Sequence, residues 1–454
     1  MNQGKILPEA SHSIHETNFG FFDSYPDKNV LNSQLFFYLK LLKLMAKKDA
    51  NILILKDFLA KRAPSIAKCK NSLVVHARLE EMEFKHKDVS QTKESVFNLK
   101  ELMDEKELSA QAVDLNIKLM RWRQLDTLDL ELLHSVKVLL LGAGTLGCQL
   151  ARNLIGWGVK HITFVDYGKV SHSNPVRQSL YNFEDVINGG KPKAETAAEA
   201  LLKIQPTMTT AGYSFMIPMP GHSVRQDEQE KMFENLDLLD KLVSEHDAVM
   251  LLLDTREARW LPTVIASAHN KICFSVALGF DNFIIIRHGA SPINYDETIS
   301  GKRPGCYFCN DYLSPSNTMK DRSLDQQCTV TRPGLSFISS AYASELLVNM
   351  LHLKKEHIEK ELKGEPLSNE FGLVPQHVRG TASGFNVDLM TSEAYDNCLA
   401  CGAKIVNEYK RDKRALILKA VNDPNYLQEV SGIKEDLQIG GEGMGEIVCI
   451  DDLL

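Results

Sequence analysis

"LLLGAGTLGCQLARNLIGWG" (residues 139–158) decides how the rest of the chain is read. Gly142, Gly144 and Gly147 spell G-x-G-x-x-G directly after an apolar run. That run, "SVKVLLLGAG", has the continuous apolar character of a strand buried on both faces of a parallel sheet. "TLGCQLARNLIGWG" predicts a helix with Gly156 and Gly158 as its breakers, and "KHITFVD" predicts a second strand ending at Asp166. Together they form a β-α-β unit. Gly142 allows a tight turn, Gly144 lets backbone approach a phosphate, and Gly147 lets the helix pack on the strand. The helix opens at Thr145, and its first N–H groups and positive dipole end suit an anion. Asp166, 19 residues after Gly147, is placed to accept hydrogen bonds from ribose hydroxyls. The fingerprint alone does not choose between NAD and ATP, and a glycine turn without a ligand is the plain structural alternative.

Downstream, "DAVMLLLD" predicts a strand ending in Asp254, and "KICFSVALG" predicts another. Strands alternating with helices indicate an α/β fold with a doubly wound, mostly parallel, Rossmann-like sheet. "PGLSFISSAYASELLVNMLHL" predicts a helix with Pro333 near its start, and "VNEYKRDKRALILKAVNDPNYLQEVSG" is helical in pattern. The glycine-rich "GGEGMGEIVCIDDLL" closes the chain. Residues 1–115 form a smaller N-terminal region. There, "QLFFYLKLLKLMAKKDANILILKDFLAKRA" has helical spacing, and "EFKHKDVSQTKESVFNLKELMDEKELSAQ" reads as loop passing into helix. No catalytic pattern stands out in this region, which reads as packing or docking surface.

The 454 residues suggest two to four domains, or one large α/β domain with additions. The hydrophobic fraction of 44% and charged fraction of 24% fit a soluble globular protein. A net charge of −7 argues against a general nucleic-acid-binding surface, which needs concentrated Lys and Arg. The N-terminus lacks an apolar signal core, and the apolar runs are too short to span a bilayer, so an intracellular protein without membrane insertion is expected.

The segment "VDYGKVSHSNPVRQSLY" places Asn174, Arg177 and Gln178 within twelve residues of Asp166, and "GGKPKAE" adds Lys191. Arg grips phosphate oxygens with paired hydrogen bonds, so the cluster tilts the reading toward a triphosphate. A solvated charged loop accounts for any one of these residues taken singly. Asp254, at a strand's carboxyl end, suits Mg²⁺ bridging ATP phosphates; a helix-capping aspartate is the alternative.

Nine cysteines are too few for a disulfide scaffold. Cys306 and Cys309 form one C-x-x-C pair, and Cys398 and Cys401 form another. Two such pairs suit a closed, four-thiolate structural zinc site tying together distant segments. A redox dithiol or coincidence is the alternative. Cys328 belongs to neither pair. Its neighbours Thr329, Thr331 and Arg332 are polar, and a helix begins near Pro333, which together favour a thiolate; the plain alternative is a small buried hydrophobe. Cys69, Cys148, Cys273 and Cys449 read as ordinary small apolar residues.

On one chain, the phrases "VDLNIKLMRWR", "GKVSHSNPVRQSLY", "DTREARWLP", "RPGCYFCND", "LDQQCTVTRPGLS" and "GLVPQHVRG", with the glycine loop, resemble the ubiquitin-like-modifier-activating enzymes, in their autophagy branch. The resemblance covers roughly residues 116–400 and implies a ThiF-like adenylation domain over 116–401, followed by a helical C-terminal region and tail over 402–454. It further implies MgATP at Gly142, Gly144, Thr145, Gly147, Asp166, Asn174, Arg177, Gln178 and Lys191, with Mg²⁺ on Asp254. Cys328 is then the nucleophile that forms a thioester with the adenylated modifier, and Zn²⁺ sits on the four paired cysteines.

The implied partners are autophagy modifiers of the eight and twelve types, their conjugating enzymes and a second copy of the chain, whose ATP Arg121 or Arg123 would reach. The implied location is the cytoplasm, with recruitment to the pre-autophagosomal structure. "EIVCIDDLL" resembles a modifier-capturing tail. The chain departs from the family at the front, where residues 1–115 stand in place of a large domain that recruits the conjugating enzyme. Two competing readings follow: a regulatory form that does not transfer the modifier, and an NAD(P)-dependent oxidoreductase. The second leaves Cys328 and the paired cysteines unused.

Overall fold

The structure, a computed structural model, describes five strands within residues 18–98 and then residues 104–289, 303–310, 313–318 and 330–434. Cys69, Cys328, Cys449 and the tail "EIVCIDDLL" lie outside the described residues. The chain divides into two compact units, Met1–Ala112 and Val113–Leu454.

The first unit holds β1 (Asn18–Asp23), β2 (Ala50–Lys56), β3 (Leu73–Arg78), β4 (Glu83–Asp88) and β5 (Glu94–Asn98), paired in that order. β1 and β2 run parallel and the later pairs antiparallel. This corrects the sequence reading at two places. "ANILILK" is a strand rather than part of a helix, and "EFKHKD" and "ESVFN" are strands rather than loop. A short apolar run fits either period, and β-branched Ile residues in "ANILILK" favour the strand.

The chain continues through α1 (Glu105–Arg123) and α2 (Leu130–Ser135), the latter capped by Asp129 Oδ1, which accepts from the Glu131 and Leu132 N–H groups. Next come β6 (Lys137–Leu141), α3 (Thr145–Gly156), β7 (His161–Val165), α4 (Lys193–Ile204), β8 (Thr209–Tyr213), α5 (Gln229–Glu245), β9 (Ala248–Leu251), α6 (Arg256–Ala268), β10 (Ile272–Leu278) and β11 (Asn282–Arg287). After the breaks follow α7 (Pro333–Leu351), α8 (Lys355–Leu362), a small ladder of β12 (Ser368–Asn369) and β13 (Gly372–Leu373), β14 (His377–Thr381), β15 (Asn386–Met390), α9 (Ala403–Asn422) and α10 (Tyr426–Ser431).

Eight strands form one sheet in the order β15-β14-β11-β10-β9-β6-β7-β8. β8, β7, β6, β9 and β10 are parallel; β11, β14 and β15 extend the sheet by antiparallel pairing. The chain builds outward from β6 to β7 and β8, then returns to the other side of β6 for β9 and β10. The strand order therefore reverses between β6 and β9, and an open crevice at such a point is where α/β sheets bind ligands.

Successive β6 residues face opposite layers. Val138 and Leu140 pack with Leu150, Leu154, Ala197 and Leu347, from α3, α4 and α7. Leu139 and Leu141 pack with Leu236, Trp260, Ile405 and Leu416, from α5, α6 and α9. Helices thus cover both faces, which is why β6 reads as apolar throughout.

Candidate functional site

The glycine loop joins β6 to α3 at the reversal point. Gly142 has φ +115°, and a Cβ there would lie 2.8 Å from Leu252 O. A Cβ on Gly147 would lie 2.1 Å from Gly142 O, so helix and loop approach closer than any side chain permits. At Gly144 the opposite holds: among the described residues nothing lies within 4 Å of the missing Cβ. Gly144 is the N-cap of α3 and no side chain caps the helix, so the Thr145 turn presents backbone donors to an open space.

Asp166 fastens this loop. Its Oδ2 accepts from Ala143 N–H at 2.8 Å and its Oδ1 from Gly168 N–H at 2.8 Å. Tyr181, buried, donates its hydroxyl to Ala143 O at 2.7 Å. A carboxylate oxygen accepts more than one hydrogen bond, so Asp166 retains capacity for a ribose. Asp254 follows β9 on the other side of the reversal and is exposed. Thr255, not Asp254, caps α6, its Oγ1 accepting from Ala258 N–H at 3.4 Å. The Tyr167 phenol is pushed up first by burial and then by the negative charges of Asp254 and Asp166.

The crossover after β7 carries the polar cluster. Asn174 is buried and its Oδ1 accepts from Ser171 N–H at 3.0 Å. Gln178 is buried with its Oε1 left without a hydrogen-bond partner among the described residues. Burying an amide oxygen unpaired is costly, so a ligand donor or water belongs there. Arg177 is exposed, one guanidinium nitrogen donating to Ser173 O at 2.6 Å.

Lys191 is drawn aside: its Nζ pairs with Asp185 at 2.8 Å. Burial pushes the Asp185 carboxyl up, but the Asn182 N–H and Lys191 outweigh it and hold the group below its usual range. Sequence reasoning passed over Lys193, whose stem lies beside Gly168 and Asp166: a Cβ on Gly168 would be 3.0 Å from Asp166 Oδ1 and 3.6 Å from Lys193 Cδ. The signal was Pro192, which sets Lys193 as the first residue of α4.

The four paired cysteines meet on the opposite layer. Cys306 Sγ lies 3.6 Å from Cys398 Sγ and 3.7 Å from Cys309 Sγ, and Cys309 Sγ lies 3.4 Å from Cys401 Sγ. Four sulfurs about 2.3 Å from a tetrahedral metal stand about 3.8 Å apart, so the cluster fits a metal ion. These separations are far from a bonded S–S of about 2.05 Å. Backbone N–H groups of Phe308 (3.3 Å to Cys306 Sγ), Tyr395 (3.5 Å to Cys309 Sγ) and Ala400 (3.5 Å to Cys398 Sγ) point at the sulfurs, as outer-shell donors do around metal thiolates. Trp260 Nε1 donates to Leu399 O at 2.8 Å, pinning the second pair to α6.

Cys148 is buried, its thiol pushed up to about 12 chiefly by burial, and Cys273 is pushed up likewise. Both are inert apolar residues. Arg121 and Arg123 lie exposed on the last turn of α1. Arg332, the N-cap of α7, pairs with Asp281 at 2.9 Å.

Fold and crevice define a doubly wound α/β domain with an attached four-cysteine cluster. The chain belongs to the ThiF family, which matches residues 115–371. It is 48% identical over 368 residues to a protein of Pyricularia oryzae named ubiquitin-like modifier-activating enzyme ATG7, covering 79% of this chain and 51% of that one. To the protein of the same name from Gallus gallus it is 45% identical over 367 residues, covering 74% and 52%. The chain thus spans about half the length of the curated relatives it matches. Escherichia coli MccB with MccA-N7isoASN superposes at a TM-score of 0.42 and 16% identity, over 60% of this chain and 68% of that one. Among the described residues no helix is long and apolar enough to cross a membrane.

Proposed function

We propose that this chain activates ubiquitin-like modifiers of autophagy with ATP, as an adenylating and thioester-forming enzyme. The observation that carries the reading is the glycine loop, open at Gly144 and fastened by Asp166 at the point where the strand order reverses. Membership of the ThiF family and the names of the fungal and avian relatives support it.

In this reading Gly142, Gly144, Thr145 and Gly147 hold the ATP phosphates through backbone N–H groups, and Asp166 holds the ribose. Asn174, Arg177 and Gln178 surround the phosphates and Lys193 joins them, while Lys191, expected there from the sequence, is held by Asp185 and reaches them only on leaving that pair. Asp254 would hold Mg²⁺, which would supply charge to offset the phosphates. The modifier's C-terminal glycine carboxylate attacks the α-phosphorus, an acyl–O–P bond forms, and the bond to the β-phosphate's bridging oxygen breaks to release pyrophosphate. The contribution of these residues is positioning and charge stabilisation. The Cys328 thiolate then attacks the acyl carbonyl and AMP leaves, so covalent catalysis divides the transfer into two steps.

Zn²⁺ on Cys306, Cys309, Cys398 and Cys401 supplies a structural cross-link. The partners are eight- and twelve-type autophagy modifiers and their conjugating enzymes. A second copy of the chain receives Arg121 or Arg123 at its ATP, and the setting is the cytoplasm. Residues 1–115, 116–401 and 402–454 act as front region, adenylation domain and C-terminal region with the modifier-binding tail.

The test mixes the chain with MgATP and an eight-type modifier on non-reducing and reducing gels. A thiol-sensitive adduct that disappears in Cys328→Ala is expected. Pyrophosphate exchange without an adduct discards Cys328 as nucleophile; no exchange, with NADH fluorescence changing on binding, replaces the reading by an oxidoreductase.

A further inference from the structure

Arg259 lies on α6, five residues beyond Asp254, and is 4% exposed. A guanidinium is rarely buried so fully unless something meets its charge. It stands over the Tyr307 ring, 5.1 Å from the centroid, and its Nη2 donates to Leu253 O at 2.5 Å. Its Nη1 has no hydrogen-bond partner among the described residues. Arg256, three residues earlier and also buried, stands over the Phe308 ring at 5.6 Å.

Tyr307 and Phe308 are the two residues enclosed by Cys306 and Cys309. Trp260, next along the helix, holds Leu399 O inside the second pair. The N-terminal end of α6 therefore grips both knuckles of the cysteine cluster. Four thiolates on a divalent ion leave about two negative charges in excess, a charge that the two buried guanidiniums match.

The other end of Arg259 reaches the crevice. Leu253 O belongs to the Leu253–Asp254 peptide, which is planar, so holding that oxygen also orients the Asp254 nitrogen. Thr255 is fixed on the far side as the cap of α6. Leu252, on the near side, donates its N–H to Leu141 O at 2.9 Å, and its carbonyl oxygen lies 2.8 Å from where a Cβ on Gly142 would stand. The turn that presents Asp254 is thus bounded by the glycine loop, the helix cap and Arg259.

We infer that Arg259 is a positioning residue that couples the cysteine cluster to the nucleotide crevice. The knuckle fixes the guanidinium over Tyr307, the guanidinium fixes Leu253 O, and the Asp254 carboxylate is thereby aimed. This rests on the activating-enzyme reading, in which Asp254 holds Mg²⁺ of MgATP, and it gives the cluster a part in nucleotide binding beyond that of a cross-link.

The test uses the full chain loaded with Zn²⁺ and reads binding rather than turnover. Calorimetry gives ATP affinity with and without Mg²⁺, and competition with a chromogenic chelator gives zinc affinity with and without MgATP. In the unaltered chain MgATP is expected to tighten zinc binding about fivefold, because coupling between two sites is reciprocal. Arg259→Lys keeps the charge, but one ammonium cannot cover the ring and reach Leu253 O together. This variant is expected to retain zinc, to bind MgATP about tenfold more weakly and Mg²⁺-free ATP within about twofold, and to lose the tightening of zinc. Chelation of zinc by ATP itself is common to both chains and cancels. Tyr307→Leu removes the ring from the same contact and carries the test if Arg259→Lys does not fold. MgATP affinity that is unchanged, or that falls by the same factor as that of Mg²⁺-free ATP, overturns the positioning role. So does MgATP that binds the unaltered chain and leaves zinc affinity where it was. An unaltered chain that binds no ATP overturns the activating-enzyme reading and this role with it.

Discussion

The glycine crevice and the cysteine cluster lie on one sheet, yet they are built on opposite plans. Around the crevice, the structure leaves things unfinished. Among the described residues, nothing fills the space at Gly144 and the buried Gln178 oxygen has no partner, and Asp254 is exposed. Around the cysteines everything is closed: four buried sulfurs face one another and receive backbone N–H groups. An open, partly unsatisfied site suits a ligand that arrives and leaves. A closed one suits an ion that stays.

The largest effect expected from breaking this contrast is on the closed side. Cys398→Ser should cost about 4 kcal/mol or more, because a ligand is lost and its neighbours stay buried. Metal analysis with thermal melting checks it; full metal content and an unchanged melting temperature would remove the structural role. On the open side, two glycines should separate fold from ligand. Gly147→Ala forces a methyl against Gly142 O and should cost about 1–3 kcal/mol and abolish ATP binding. Gly144→Ala meets nothing within 4 Å, so the melting temperature should hardly move while ATP affinity falls about tenfold, or roughly 1.4 kcal/mol. Calorimetric titration of both variants decides it, and equal stability losses would deny that Gly144 faces the ligand.

The smallest effect lies under the sheet and away from both sites. His246 is held neutral, its Nδ1–H donating to Leu242 O at 2.6 Å and its Nε2 accepting from Thr163 Oγ1 at 2.8 Å. Burial, first of all, lowers its pKa below 6.5. The unfolded chain therefore takes up this proton first. Stability from this group is full above about 6.5 and declines as pH falls from there to the folded value, then levels. His246→Gln should flatten that part of a stability-against-pH curve, and an unchanged slope would assign it elsewhere.

Much of this was legible in sequence because the signals were local. The β6–α3–β7 unit declared itself by apolar runs, three glycines and Asp166. The four cysteines were legible as two pairs, since C-x-x-C is a local pattern even when the pairs meet from far apart. The strand "ANILILK" was not, because it follows a segment whose apolar spacing reads as helical and a short apolar run fits either period. Nor were β11, β14 and β15, whose antiparallel pairing turns on contacts distant in sequence; every residue of β15 is exposed, which removes the alternation a half-buried strand would show. Lys191 and Lys193 are two residues apart in "GKPKAE", and only the Asp185 pair tells which one turns away.

The separation of the cysteine pairs has a consequence in time. Cys306 and Cys398 are 92 residues apart, and the intervening chain contains α7 and the antiparallel edge of the sheet. Closing so long a loop costs chain entropy that is repaid only after those elements have docked. A four-sulfur cage therefore assembles at the end of folding rather than at its start. A metal held by such a cage would be bound only once α7 and the β14–β15 edge are in place, so its uptake would date that step of folding.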